Sequence, residues 1–303
     1  MPSIQHPLGA LPARFRRQRI LLVGCGDVGL RVARRLSGRV RLMALTSSVA
    51  RVESFRAEGI VPIVGNLDQA RSLRRLGGLA HRVVHLAPPA AVGNTDPRTQ
   101  ALLAALVQRA LPKVLLYGST SGVYGDCAGE WVPETRATQA NTPRAQRRVH
   151  AENSIRCWAH DKGVTACVLR IPGIYAADRD EGTPRTRLLK GLPVLQAAQD
   201  VYTNHIHADD LARACIVALW RGAPQRVYNI CDDTQMKMGD YFDLAAHIMR
   251  LPKPPRVSLA EAGDMLSPMQ LSFMGESRRL RNARMKQELQ LRLQYPSVHV
   301  GLA

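Results

Sequence analysis

No apolar run in the 303-residue chain approaches the ~18–20 residues a membrane span needs. Residues 1–19 lack the apolar stretch of a secretory signal. They are expected to form a lead-in (residues 1–18) with a basic patch at Arg14, Arg16, Arg17 and Arg19. The six cysteines (25, 127, 157, 167, 215 and 231) never fall as Cys-x-x-Cys. This excludes the usual zinc and redox spacings and points to buried thiols in a reducing compartment. The nine histidines include no His-Glu-x-x-His, so no metal site is expected. Lysine is scarce: six of the 42 basic residues are lysine, which leaves 36 arginines. The net charge of +18 comes from arginines spread along the whole chain, with no nucleic-acid-binding motif among them. That pattern reads as composition bias on solvated helix faces, with attraction of phosphorylated ligands as the functional remainder. There are no repeats or low-complexity segments, and 46% hydrophobic residues suffice for a sizeable core.

One stretch organises the rest. Ile20-Leu21-Leu22-Val23 is an apolar run that stops at Gly24, and the glycines follow as Gly24-x-Gly26-x-x-Gly29. Val28, Val32 and Leu36 then recur at helical spacing, with Gly38 at the helix end. Strand, glycine turn and helix form the context in which this spacing binds a dinucleotide. Gly24 permits the tight turn, Gly26 lets backbone approach a pyrophosphate, and Gly29 lets helix and strand pack. The helix N-terminus presents free N–H groups to the phosphates.

Further strands are expected over residues 40–45, 60–64, 83–86, 114–117 and 164–169. Helices are expected over 66–75, 99–110 and 143–161. Alternation of this kind predicts an α/β fold, a Rossmann-type doubly wound parallel sheet, with a dinucleotide-binding domain over residues 19–170. Beyond 170 the alternation loosens into Pro/Gly-rich segments. A helix over 208–221, a short strand over 226–230 and a helix over 239–249 complete a smaller C-terminal substrate-side lobe, residues 171–303, integrated with the core rather than an independent domain. Ligands on such sheets sit beyond the strands' carboxyl ends. That edge gathers Gly24, Gly26, Asp27, Val28 and Gly29, then Thr46, Ser47 and Ser48, then Asn66 and Leu67, then Leu86 and Ala87 as candidate cofactor contacts. The second strand ends without the acid that usually bonds the ribose of NAD. Thr46-Ser47-Ser48 with Arg51 stands there instead, so NADP is expected to be slightly preferred over NAD.

Four later stretches resemble the extended short-chain dehydrogenase/reductase family, which contains NAD-dependent epimerases and dehydratases. They are Ser119-Thr120-Ser121-Gly122-Val123-Tyr124-Gly125-Asp126, Arg170-Ile171-Pro172-Gly173-Ile174-Tyr175, Ile206-His207-Ala208-Asp209-Asp210-Leu211-Ala212 and Tyr228-Asn229-Ile230. They occur in the family's order and span nearly the whole chain. Two departures stand out. The glycine spacing is one residue shorter than the extended pattern. The family's catalytic Tyr-x-x-x-Lys is missing, since no tyrosine has lysine four residues on, and Arg144 and Arg148 align with that pair. Both departures resemble an atypical branch, the YeeZ-like group, as do Ser277-Arg278-Arg279, Asn282-Ala283-Arg284 and Tyr295-Pro296-Ser297.

The resemblance implies oxidoreduction or epimerisation of a sugar-like or nucleotide-linked hydroxyl substrate in the cytoplasm. The alternative is a dinucleotide-binding sensor that has lost its catalytic pair. Thr120 matches the position that orients the substrate oxygen. Tyr124 and His207 are the candidate proton carriers, and His205 shares the strand face of His207. Arg144 stays protonated and cannot be a base, whereas Arg148 is placed at the cofactor's ribose. Asp209 and Asp210 read as caps of the helix that follows. Arg185 and Arg187 are candidates to grip a substrate anion or to be solvated loop charges. The partner is a small-molecule substrate, with neither nucleic acid nor membrane expected and a homodimer left open.

Overall fold

The computed structural model describes residues 17–179 and 183–303. The lead-in up to residue 16, with Arg14 and Arg16, and Gly182 lie outside them. Seven parallel strands form the central sheet: β1 (Arg19–Val23), β2 (Arg41–Thr46), β3 (Val61–Val64), β4 (Arg82–His85), β5 (Val114–Thr120), β6 (Thr165–Ile171) and β7 (Arg226–Asn229). Their spatial order is β7-β6-β5-β4-β1-β2-β3. The chain therefore starts in the middle, winds to one edge, returns and winds to the other. This is the doubly wound topology expected from the alternation.

Successive residues of β1 serve opposite faces. Ile20 and Leu22 join a core with Val32, Leu36, Leu211, Cys215 and Leu219, which belong to α1 (Asp27–Leu36) and α6 (Ala208–Arg221). Leu21 and Val23 join the opposite core with Leu102, Leu106, Ala151 and Ile155, from α3 (Pro97–Leu106) and α4 (Pro143–Lys162). Both of these last helices begin on local chemistry. Asp96 accepts from the N–H groups of Arg98 and Thr99, Thr142 accepts from Ala145, and a proline follows each cap. Gly163, at φ +64°, ends α4 in the left-handed conformation.

Three expectations shift. The helix expected over 66–75 starts late, because the Asn66 side chain accepts from the Asp68 N–H and holds a turn; a 3-10 helix then runs over Ala70–Leu76. The helix expected over 99–110 starts two residues earlier, at Pro97, and ends at Leu106. The strand expected over 226–230 belongs to the central sheet rather than to the lobe alone. β7 pairs with β6 through Tyr228↔Leu169 and Asn229↔Arg170, and α6 packs beside α1. Much of the rest of the second half builds a lobe with its own core of Tyr175, Val194, Leu195, Tyr241 and Phe242, supplied in part by α7 (Met238–Met249), while Met285, Leu289 and Leu291 return to the core of the sheet.

Candidate active site

Two cavities open along the carboxyl ends of the strands. The smaller, about 330 Å³, lies beside the glycine turn. The three glycines there have three different environments. Gly24 sits at φ +88°, and a Cβ on it would stand 2.2 Å from the Ala87 backbone nitrogen. Only glycine fits that turn. A Cβ on Gly29 would meet the Gly24 carbonyl at 3.1 Å, so this glycine keeps helix and turn close. A Cβ on Gly26 would meet nothing within 4 Å. Gly26 caps α1 with extended backbone and no side-chain bond, and it lines the cavity with Gly24, Asp27, Val28, Gly29 and Leu86. An open cradle at the N-terminus of a ten-residue helix fits a pyrophosphate. Thr46 accepts from the Ser48 N–H, Ser47 and Ser48 are exposed, and Arg51 donates to the Cys25 carbonyl at 2.7 Å while lying 4.5 Å over the Phe55 ring. Asn66 and Leu67 follow β3 on the same edge but line neither cavity; Leu67 packs on the core. Ala87 contributes backbone contact to the turn.

The larger cavity, about 720 Å³, lies between the sheet edge and the second lobe. Thr120, Arg148, Pro172 and Ile174 line both cavities, so the two meet there. Thr120 caps the short 3-10 turn Ser121–Tyr124, accepting from the Gly122 N–H. Arg148 donates to the Tyr117 hydroxyl at 3.0 Å and the Gly118 carbonyl at 2.8 Å, which fixes its head at the end of β5. Arg144 lies 4.7 Å over the Phe273 ring. Arg147, Arg187, Lys190 and Arg278 add four more cations. Arg187 is held by the Pro193 carbonyl, whereas Arg185 does not line the cavity. Among the described residues, Glu276 is the one carboxylate lining it. Its Oε2 accepts from Arg278 at 2.8 Å. A Cβ on Gly122 would stand 4.0 Å from that oxygen and 3.7 Å from Thr120 Oγ1, so carboxylate and hydroxyl face a common space.

Two expected proton carriers do not reach this space. Tyr124 is fully buried and lines neither cavity. Its hydroxyl donates to Asn229 Oδ1 at 2.8 Å, and burial raises its pKa despite the Arg170 guanidinium 4.6 Å above the ring. His207 is also buried. Its Nδ1 accepts from the Asp209 N–H, which makes it the cap of α6, and its ring stacks on Tyr295 at 3.6 Å. The capping role expected of Asp209 and Asp210 passes to it. Asp209 instead binds Arg31 and Arg35, and Asp210 accepts from the N–H groups of Gln294 and Tyr295. His205 does line the larger cavity, stacked on Tyr241, but burial pulls its pKa down to about 3 and makes it a poor base.

Three features escaped the sequence. Glu276 is a lone carboxylate with no spacing partner. Glu152 and Arg170 form a buried ion pair at 2.7 Å, completed by Ser119, which donates to Glu152 at 2.5 Å. Arg31 gathers Asp27, Asp178 and Asp209 beside the glycine turn. Among the described residues no group of three potential metal ligands occurs, and no helix is long and apolar enough to cross a membrane.

Comparison with known proteins places these features in a family. A conserved protein of unknown function from Silicibacter pomeroyi superposes with a TM-score of 0.77 at 30% identity, over 94% of this chain and 96% of that one. UDP-glucose 4-epimerase from Thermotoga maritima gives 0.76 at 20% identity, over 94% and 96%. The dTDP-glucose 4,6-dehydratase DesIV from Streptomyces venezuelae, solved with NAD bound, gives 0.76 at 20%, over 94% of each chain. The last two likenesses establish the fold. No curated protein matches. The model of the NAD dependent epimerase/dehydratase family matches residues 20–231, from β1 to just past β7, and the chain belongs to that family.

Proposed function

We propose that the protein is an NAD(P)-dependent oxidoreductase or epimerase acting on a sugar-like or nucleotide-linked hydroxyl substrate. The observation that carries this reading is the meeting of the two cavities at Thr120 and Arg148. A nicotinamide ring reaching in from the glycine turn would stand beside a substrate in the larger cavity. Bound there, the dinucleotide supplies hydride exchange. Gly24, Gly26, Asp27, Val28 and Gly29 would hold its pyrophosphate end, and Arg148 its nicotinamide ribose. Thr120 orients the substrate oxygen by hydrogen bond. Glu276 takes or returns the hydroxyl proton in place of the missing tyrosine, because Arg144 and Arg148 remain protonated. The excess of cations over Glu276 in the larger cavity favours a substrate carrying negative charge, as a nucleotide-linked sugar does. A modest preference for NADP follows from exposed Ser47 and Ser48 and from Arg51 beside the turn.

The sensor reading draws on one observation, that Arg144 and Arg148 occupy the positions of the catalytic tyrosine and lysine. Fluorescence titration of NADPH and NADH, followed by turnover assays over hydroxyl and carbonyl substrates, separates the two. Gly26→Val should abolish dinucleotide binding with the fold retained. Equal affinity in that variant would remove the glycine turn from the site. Binding without hydride transfer across the panel would favour the sensor.

A further inference from the structure

We infer that Arg144 binds an anionic group carried on the sugar-like part of the substrate itself, so that the preferred substrate is an acidic sugar and not a neutral one. This rests on the reading above and says where that substrate holds its charge. Arg144 is the second residue of α4 and lines the larger cavity together with Thr120, Gly122 and Arg148. Arg148 follows one helical turn later, which sets the two Cβ atoms about 5–6 Å apart. Arg148 also lines the smaller cavity and so marks the junction of the two. Arg144 therefore stands beside the place where a nicotinamide and a substrate hydroxyl would meet.

The cations of this cavity fall into two groups. Arg187 and Lys190 belong to the second lobe, where Arg187 lies 4.8 Å over the Phe242 ring. They can serve a distant anion such as a nucleotide's diphosphate. Arg144, Arg147, Arg148 and Arg278 form the other group, with Glu276 as the one carboxylate near them among the described residues. Three of these four are committed to the protein. Arg147 donates to the Gly93 carbonyl at 2.6 Å, Arg148 to Tyr117 and Gly118, and Arg278 to the Gly125 carbonyl and Glu276. Arg144 has no hydrogen-bond or ion-pair partner among the described residues, and its guanidinium rests on the Phe273 ring. Its N–H donors are open to a ligand. Lost solvation lowers its pKa; Arg148, Arg147 and Arg278 lower it further, against Glu276 alone. Four like charges around one carboxylate repel one another until a second anion arrives. A carboxylate or phosphate on the sugar supplies that anion, and the guanidinium fork matches either one with paired N–H bonds. A neutral hydroxymethyl group in the same place leaves the repulsion as it was.

The test is a ligand-observed NMR titration of the full chain saturated with NADP or NAD, with free sugars as probes so that no nucleotide contributes charge. Glucuronate and galacturonate carry a carboxylate where glucose and galactose carry a hydroxymethyl group, and glucose 6-phosphate carries a phosphate there. The acids or the phosphate should bind about tenfold or more tightly than the neutral sugars, and the tighter of the two identifies the anion. Arg144→Ala should erase that preference, a loss of roughly 10- to 100-fold, the range for a charge-assisted bond. Arg144→Lys should restore part of it. Arg185→Ala, which removes an exposed cation that does not line the cavity, should change nothing. Should Arg144→Ala not fold in thermal melts, Arg144→Gln replaces it with the same expectation. Equal binding of acidic and neutral sugars, no binding of any of them, or an equal loss in Arg185→Ala overturns the assignment while leaving the dinucleotide reading intact. So does a loss in Arg144→Ala confined to UDP as the probe, which would put a nucleotide's diphosphate at this arginine. Failure of the unmodified protein to bind either dinucleotide overturns the underlying reading, and this proposal with it.

Discussion

The glycine turn and the far wall of the larger cavity are built by different means. At the turn, backbone shapes the site. Six consecutive residues from Gly24 to Gly29 set the loop, the helix start and the open cradle at Gly26. At the far wall, side chains converge from Thr120 at the end of β5, Arg144 at the start of α4, Arg187, and Glu276 and Arg278 near the end of the chain. More than 150 positions separate the first of these from the last. A backbone site follows local spacing and can be read as a motif. A converging site has no period, and only the fold brings it together.

The contrast is sharpest between two glycines two residues apart. Gly24→Ala places a methyl group against the Ala87 backbone and forces a left-handed φ of +88° on alanine. The expected loss is about 4 kcal/mol, a large fraction of the stability of an ordinary domain. Gly26→Val meets open space and adopts ordinary backbone, so chemical denaturation should give a midpoint near that of the unmodified protein. If both variants unfold alike, the division of the turn into a structural and a ligand-facing glycine is wrong.

The far wall is probed through its carboxylate. Once a substrate is found, Glu276→Gln should slow turnover by about 10²–10⁴-fold, the usual contribution of a proton carrier. Tyr124→Phe and His207→Ala should leave turnover near its original value, since neither side chain reaches the cavity. A slow Tyr124→Phe enzyme with a fast Glu276→Gln enzyme would reverse the assignment. The same Tyr124→Phe substitution has a structural consequence. It leaves Asn229 Oδ1 buried without the hydroxyl that donates to it, at a cost of about 1–3 kcal/mol. Stability curves for the two proteins measure this directly, and unchanged stability would mean that the hydroxyl is not part of the buried network.

The same contrast explains what the sequence could reveal. The parallel sheet was legible because each strand is an apolar run followed by a helix, and both faces are covered. The start of α1 and the roles proposed for three glycines followed from six residues. The departures have identifiable physical causes. Tyr124 sits in a familiar stretch four residues past Thr120, yet the turn at Ser121–Tyr124 rotates it into the core, where Asn229, from the far edge of the sheet, takes its hydroxyl. His205 and His207 alternate as strand residues should, but α6 begins at once and turns His207 into its cap. Glu152, on the basic helix, draws no notice in the sequence, because only the fold brings Arg170 and Ser119, on neighbouring strands, to enclose it. For Tyr124 and Glu152 the deciding partners lie 18 to 105 residues away, whereas for His207 the deciding contact is two residues on.

Arg51 lies between these two kinds of site and provides the smallest test. It sits a few residues beyond a motif position, yet its head is placed by a contact 26 residues back, at the Cys25 carbonyl. That contact and the Phe55 ring beneath it hold the guanidinium beside the glycine turn. A 2′-phosphate on the adenine ribose that reaches this guanidinium would gain a charge-assisted bond. NAD would leave the same guanidinium without an anion to bind. Arg51→Ala should therefore weaken NADPH binding by about tenfold, the low end for a charge-assisted bond, and leave NADH binding unchanged. Competition between the two cofactors reads the ratio directly. Equal losses for both would make Arg51 a support of the turn through Cys25 rather than a reader of the phosphate. Tighter binding of NAD in the unmodified protein would place the preference elsewhere.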